Sequence, residues 1–117
     1  MATFSKRLLS ESVNGRQIKV VQTATAGTLI HTAVVGTSDL DEVWLWAVNT
    51  SSTAVTLTLE WGGVTAPDDL IVVELPAAKG LILVAPGLLL QNELVVRAFA
   101  SVANVVEIAG FVNRITA

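Results

Sequence analysis

The 117-residue sequence contains no cysteine and no tyrosine, a single histidine, and only 15% charged residues. Without cysteine, neither a disulfide nor thiolate chemistry is available, which is compatible with assembly in the cytoplasm. The seven basic residues are scattered, without a basic stripe or interleaved aromatic residues, so we expect no nucleic-acid partner. A chain of this length fits one domain.

Long uninterrupted hydrophobic runs are also missing. The most apolar stretch, residues 81–90, contains a proline and a glycine and falls short of the roughly 20 residues that a spanning helix needs. The N-terminal segment has two basic residues followed by only two leucines, which is not a signal-peptide core. We therefore expect no membrane partner.

Apolar residues are nevertheless abundant: they make up 52% of the chain, and the mean hydropathy is +0.65. A small domain has a high ratio of surface to volume, so part of this apolar surface cannot be hidden internally. With a membrane set aside, contact with other protein subunits is the better explanation.

Alternation with period two dominates the chain and predicts strands. In residues 55–61, apolar residues alternate with Thr56, Thr58 and Glu60, which is typical of a strand with one face in a core and the other in water. The polar segment Asn49–Ser52 has turn chemistry, so the runs on either side of it are predicted to form a hairpin. The predicted strands are 16–22, 28–35, 42–49, 55–61, 70–75, 81–85, 93–100 and 104–116.

About eight short strands separated by turn residues predict an all-β fold, an antiparallel β-sandwich or barrel that is jelly-roll-like. Residues 1–14 are predicted to be an extended N-terminal arm, and residues 15–117 the β-sandwich domain. Only residues 5–12 could form a turn or two of helix. The runs 43–48 and 70–75 are apolar on both faces, which predicts that their second face contacts another subunit or the arm.

Residue types that carry catalysis or bind metals are scarce. His31 has no nucleophile-elbow motif and no triad context, so we expect a partly exposed or interface histidine. Asp39, Asp41 and Glu42 alternate in a predicted loop, but their spacing is not that of an EF-hand, so we expect an acidic turn. We predict no cofactor, no metal and no enzymatic activity.

Trp44, Trp46 and Trp61 are the most informative side chains. Trp44 and Trp46 share one face of a predicted strand, and Trp61 ends the next strand. Large aromatic residues fill cores or anchor interfaces. They also stack on sugars, so core, interface and ligand platform all remain open.

Several short blocks, spread over most of the chain, carry a resemblance to a known class of proteins. The blocks DEVWLWAVNT (41–50), EWGG (60–63), PDD (67–69), VVRAFA (95–100) and GFVNRI (110–115) together resemble small virion proteins of tailed bacteriophages. The resemblance implies a structural role on the particle. Proteins of this kind serve as head decoration (cement) proteins, commonly trimers on the capsid lattice, and as head–tail connector, tail or fibre-base components.

We therefore expect a virion structural protein, assembled in the host cytoplasm, that decorates and stabilises the capsid shell as a homo-oligomer, with a trimer favoured. Its partners would be the major capsid protein or another virion protein. One alternative is a carbohydrate- or receptor-binding β-sandwich module, and another is a small hydrolase that uses Glu60 or Glu74. The residues predicted to contact neighbouring proteins are Phe4, Lys6, Arg7, Leu8, Trp44 and Trp46.

Overall fold

The computed structural model describes residues 2–117, and within that range it contains nine β-strands and no helix. The all-β prediction is confirmed. The strands are β1 (Thr3–Leu8), β2 (Ile18–Val20), β3 (Thr28–Thr32), β4 (Leu40–Asn49), β5 (Val55–Trp61), β6 (Leu70–Leu75), β7 (Ile82–Leu90), β8 (Val95–Ala100) and β9 (Val106–Thr116).

The strands form two antiparallel sheets that pack as a sandwich. The five-stranded sheet has the order β1-β9-β4-β7, with β2 also paired to β9, and the four-stranded sheet has the order β3-β8-β5-β6. Strands β2, β3, β4 and β5 pair with β9, β8, β7 and β6 respectively. This is the pattern of one long double strand folded onto itself, which is the jelly-roll connectivity. The predicted jelly-roll-like sandwich is thereby confirmed.

The core lies between the two sheets and is built from alternate residues of each strand. In β4, Val43, Leu45 and Ala47 are fully buried, and in β5, Leu57 and Leu59 are fully buried. Full burial of an aliphatic side chain of this size stabilises a fold by about 1.5–3 kcal/mol. The residues between them in β4 point to the opposite side of the sheet, away from the core.

The extended N-terminal arm is not confirmed. Residues Thr3–Leu8 form β1, an edge strand that pairs in register with β9, from Thr3 opposite Thr116 to Leu8 opposite Phe111. The following residue, Leu9, lies in the core with 2% exposure. Pairing with β1 satisfies backbone groups that the edge of β9 would otherwise leave open, which explains why this segment is a strand and not a helix.

The predicted hairpin across Asn49–Ser52 is wrong. β4 belongs to the five-stranded sheet and β5 to the four-stranded sheet, so this segment crosses from one sheet to the other. The buried Asn49 side chain accounts for the crossing, because its Nδ2 donates to the carbonyl oxygens of Thr53 at 2.7 Å and Leu75 at 3.0 Å. These bonds tie the end of β4 to the four-stranded sheet.

The strand predicted over residues 81–85 ends too early, because β7 continues through Pro86 and Gly87 to Leu90. Both residues lie inside β7, where the pairing with β4 shifts register between Val43 and Trp44. A proline cannot donate to a neighbouring strand, and β7 tolerates it because β7 is the last strand of its sheet. The register shift is a β-bulge, which accommodates the extra backbone.

Candidate functional site

The outward side of the five-stranded sheet is an apolar surface whose neighbours are set by strand register. Leu8 lies opposite Phe111, Phe111 opposite Trp44, and Trp44 opposite Pro86. Residues that are paired across strands share a face, so this row crosses four strands. We name this side the outer face; its residues are Phe4, Lys6, Leu8, Glu42, Trp44, Trp46, Leu83, Pro86, Leu89, Phe111, Asn113 and Ile115.

Three aromatic rings form a platform at the centre of the outer face. The ring centroids of Trp44 and Trp46 are 6.2 Å apart, those of Trp44 and Phe111 are 6.3 Å apart, and those of Trp46 and Phe111 are 6.0 Å apart. These separations lie in the range in which aromatic pairs attract one another. The ammonium group of Lys6 lies over the Phe111 ring, 4.7 Å from its centroid, in a cation–π contact.

A carboxylate fixes the orientation of this platform. Glu42 Oε1 accepts hydrogen bonds from Trp44 Nε1 at 2.8 Å and from Asn113 Nδ2 at 2.9 Å. The bond from Asn113, and then the bond from Trp44, lower the pKa of Glu42 below its ordinary value, while burial acts in the opposite direction. The ring of Trp44 is therefore held by an anionic acceptor at neutral pH.

Large apolar side chains surround the platform and are open to solvent. The exposed fraction is 71% for Phe4, 52% for Leu8, 52% for Leu89 and 45% for Leu83. Single exposed leucines are ordinary on a protein surface, but a contiguous apolar patch marks a site of interaction. The outer face combines such a patch with ordered aromatic rings, which are the side chains enriched at the centres of protein interfaces.

The structure brings five of the six predicted contact residues onto the outer face. Arg7 is the exception: it alternates to the other side of β1, opposite Val112. Trp61 packs against the core instead. The sequence analysis did not identify Phe111 as a member of the site. The alternation in β9 could have identified it, because it places Phe111 on the side of the strand that faces away from the core. The five residues on the outer face are Phe4, Lys6, Leu8, Trp44 and Trp46.

A buried ionic cluster lies on the inward side of β4. Asp41 is fully buried. Its carboxylate accepts hydrogen bonds from Arg114 Nε at 2.8 Å, from Arg114 Nη2 at 3.0 Å and from the Val34 backbone N–H at 3.1 Å. His31 Nε2 lies 2.8 Å from the same carboxylate. Burial alone would raise the pKa of Asp41, but the hydrogen bonds and positive charge of Arg114, helped by His31, lower it below its ordinary value.

Two sequence-based expectations for this region are wrong. His31 is not partly exposed, since only 2% of it reaches solvent. Asp41 and Glu42 are not residues of an acidic turn, because both lie in β4 and point to opposite sides of the sheet. Within residues 2–117, no group of three or more histidine, cysteine or acidic residues could hold a metal ion.

Ser10, His31 and Asp41 have the composition of a hydrolytic triad but not its geometry. The imidazole Nδ1 of His31 accepts a hydrogen bond from the backbone N–H of Ser10 at 3.0 Å. The hydroxyl of Ser10 instead accepts from the backbone N–H of Thr32 at 2.8 Å. A triad requires the serine hydroxyl to be bonded to the imidazole, so this arrangement fastens chain segments together and does not activate a nucleophile.

Glu60 and Glu74 do not form a glycosidase-type carboxylate pair. Glu60 is fully buried, and its two oxygens accept from Thr25 Oγ1 at 2.5 Å and from the Gly27 N–H at 2.7 Å. Leu70 is the neighbour of Glu60 on β6, and Glu74 lies four residues further along that strand. That spacing is about 13 Å at the rise of a β-strand, beyond the separations of about 5–9.5 Å used in glycoside hydrolysis.

No family model matches this chain, and no curated protein and no solved structure matches it. Within residues 2–117, the structure has no helix with the length and apolar character needed to cross a membrane.

Proposed function

We propose that this protein is a non-enzymatic structural subunit that contacts other protein chains through the outer face. More specifically, we propose a decoration protein of a tailed-phage capsid, located on the virion, that assembles as a homo-oligomer with a trimer favoured and binds the major capsid protein or another virion protein. The observation that carries the proposal is the outer face itself, an ordered aromatic platform surrounded by exposed leucine and phenylalanine side chains.

The physical properties of the outer face suit a permanent contact between subunits. Trp44 is held by its hydrogen bond to Glu42, so it loses little conformational freedom when a partner covers it. The core behind it lies between two paired sheets. A decoration subunit stabilises a capsid by binding the expanded shell more tightly than other states, which is a mass-action effect. A preformed surface favours such binding because it lowers the cost of ordering side chains.

The resemblance to phage virion proteins supports the more specific part of the proposal. Two of the blocks that carry it, residues 41–50 and 110–115, belong to the paired strands β4 and β9. They supply Trp44, Trp46 and Phe111, the three rings of the platform. Two of the five segments that resemble virion proteins therefore supply the aromatic platform of the candidate contact surface.

The first test is the solution mass of the purified protein, measured by size exclusion with light scattering. We expect a closed oligomer for the wild-type chain and dissociation in Leu89→Lys, which places a charge on the outer face. Val72→Lys is the matched control, because Val72 is 61% exposed and lies on the outward side of the four-stranded sheet. A monomeric wild type, or equal dissociation in both variants, would contradict the proposed interface.

The second test asks whether the chain binds capsids. Purified expanded and unexpanded shells of the phage that encodes the chain are incubated with the wild-type protein and with the two lysine variants. We expect saturable binding that favours expanded shells, weakened in Leu89→Lys and retained in Val72→Lys. Binding to isolated tails or connectors but not to shells would instead assign the protein to those parts of the particle.

A carbohydrate-binding module is the second candidate, and a specific observation favours it. Two residues beyond Trp46 on β4, Val48 lies opposite Glu107 of β9. Both line an open depression of about 580 Å³, together with side chains that include Arg16 and Gln17. Rings beside hydrogen-bonding side chains are the usual elements of sugar recognition. Titration with a panel of soluble oligosaccharides should quench tryptophan fluorescence in the wild type and not in Trp44→Ala if this candidate is correct.

A further inference from the structure

The chain segment that follows β1 is fastened to β3 by three hydrogen bonds. The Ser10 N–H donates to His31 Nδ1 at 3.0 Å, and the Thr32 N–H donates to the Ser10 hydroxyl oxygen at 2.8 Å. The Glu11 N–H donates to the Ile30 carbonyl oxygen at 3.4 Å. β1 is an edge strand whose side chains are mostly exposed, so these bonds fix its C-terminal end against the four-stranded sheet.

The contact with Ser10 indicates which ring nitrogen of His31 carries the proton in the neutral form. A backbone N–H can only donate, so Nδ1 must present its lone pair and carry no proton. The proton of the neutral ring is then on Nε2, where it is donated to Asp41 Oδ2 at 2.8 Å. Protonation of the ring would place a second N–H on Nδ1, directed at the Ser10 N–H, and two donors would face each other.

Two side chains of opposite charge lie on the Nε2 side of the ring. Asp41 of β4 attracts an imidazolium, while Arg114 of β9, bonded to the same carboxylate, opposes the additional positive charge. Among the described residues, these are the charged side chains bonded to this site. Since the bond between Nε2 and Asp41 survives protonation, the contact that must be lost is the one with Ser10.

We propose that His31 is a pH-sensitive clamp on β1. The unprotonated Nδ1 holds Ser10, and protonation of Nδ1 expels Ser10 and releases the end of β1 from its fixed position. β1 contributes Phe4, Lys6 and Leu8 to the outer face. Release of β1 would therefore disrupt that edge of the contact surface, a consequence that rests on the proposed function, whereas the release itself does not.

Nuclear magnetic resonance of the full-length protein tests the clamp directly. The ¹⁵N shifts of the His31 ring report its tautomer, and amide hydrogen exchange, corrected for the intrinsic effect of pH, reports the protection of β1. We expect the Nε2–H tautomer at pH 7.5. The pH is then lowered until the ring shifts report protonation of Nδ1, and at that pH we expect at least a tenfold loss of protection in β1, with unchanged protection in β4. A ring that stays neutral until the whole protein unfolds would overturn the clamp.

His31→Gln is the matched variant, because its amide can bond to Asp41 but does not titrate in this range. Its β1 protection should not depend on pH. Retained protection of β1 in the wild type after ring protonation would overturn the clamp, and so would an equal loss in His31→Gln. If the variant fails to fold, the wild-type ring shifts and exchange rates still decide between these outcomes.

The solution mass at the two pH values separates the clamp from the proposed function. If both hold, the wild-type oligomer weakens at the pH at which the ring is protonated, and the His31→Gln oligomer does not. Release of β1 with an unchanged oligomer would support the clamp and contradict the assignment of the outer face as the subunit interface.

Discussion

Trp44 lies directly against Gly87, and a Cβ atom built at position 87 would come within 2.8 Å of Trp44 Cζ2. Gly87 has a φ of +77°, a backbone conformation that other residues adopt at a cost. On its other side, the Trp44 ring is stacked with Phe111. The bulge in β7 therefore supplies both the conformation and the space that hold this ring in the platform.

Gly87→Ala should cost more stability than Gly80→Ala, although both glycines have positive φ. Gly80 has a φ of +68° and, among the described residues, no atom within 4 Å of its built Cβ, so its substitution measures backbone strain alone, about 1–2 kcal/mol. Gly87→Ala should add about 1–3 kcal/mol from overpacking against Trp44 and should change the near-ultraviolet circular dichroism. Urea denaturation checks the difference; equal costs would contradict the contact.

Arg114→Met should strongly destabilise the protein, because it leaves the buried Asp41 carboxylate without its main cation. We expect a loss of about 3 kcal/mol in the free energy of unfolding at pH 7, at the low end for a broken buried pair because His31 remains beside Asp41. Arg7→Met is the control: Arg7 is exposed on β1 and should change stability by no more than about 0.5 kcal/mol. Chemical denaturation of both variants measures the difference.

The fold class could be predicted from the sequence because many strands have one wet face, which makes their alternation visible. The bounds predicted for 55–61 and 70–75 agree with those of β5 and β6. The pairing of strands was harder to predict from the sequence, because turn residues such as those of Asn49–Ser52 are equally suited to a hairpin and to a crossing between sheets. What decides the crossing is the bond from Asn49 to Leu75, 26 residues away.

The candidate site was only partly predictable for a similar reason. Alternation placed Trp44 and Trp46 on one side of a strand, but it did not show which side faces the core, because both sides of β4 are apolar. The contact with Phe111 depends on the register between β4 and β9. The ionic cluster could not be predicted from the sequence, because Asp41 and Arg114 are 73 positions apart.

Acidification should remove the stability contributed by Asp41. The pKa of Asp41 in the folded protein lies below its ordinary value of 3.8, so its contribution is fully present above that value and is lost as the pH falls through the lower, folded pKa. The unfolding free energy of the wild type should therefore decrease as the pH falls below about 4. Asp41→Asn should have a lower unfolding free energy than the wild type at pH 7, and its unfolding free energy should depend less on pH below about pH 4.

The control for this pH profile is Glu42→Gln, on the neighbouring position of β4. The pKa of Glu42 is also lowered, but by hydrogen bonds at a half-buried surface position, so the slope should change much less than in Asp41→Asn. Urea denaturation from pH 7 to pH 2 measures the three profiles. An unchanged slope in Asp41→Asn would show that Asp41 does not control acid stability.

Asn49→Asp should destabilise the protein in a way that acid partly reverses. Asn49 is 2% exposed; its Nδ2 donates to the carbonyl oxygens of Thr53 and Leu75, and its Oδ1 accepts from the Ser51 N–H at 2.9 Å. The substitution replaces the donor by a buried anion facing two carbonyl oxygens, which should cost at least about 3 kcal/mol at pH 7. A protonated carboxyl can donate to one of these oxygens, so the introduced group has a raised pKa in the folded state, and stability returns as the pH falls.

The sign of this effect is opposite to that of Asp41, which makes the comparison decisive. Between pH 7 and pH 4.5, the unfolding free energy of Asn49→Asp should rise relative to that of the wild type. Asn92→Asp is the matched control, because Asn92 is exposed, and it should differ from the wild type by no more than about 0.5 kcal/mol at both pH values. If the two variants have the same pH dependence, the Asn49 side chain does not direct its amide nitrogen at these carbonyl oxygens, and another contact must hold β4 at the point where the chain crosses between the sheets.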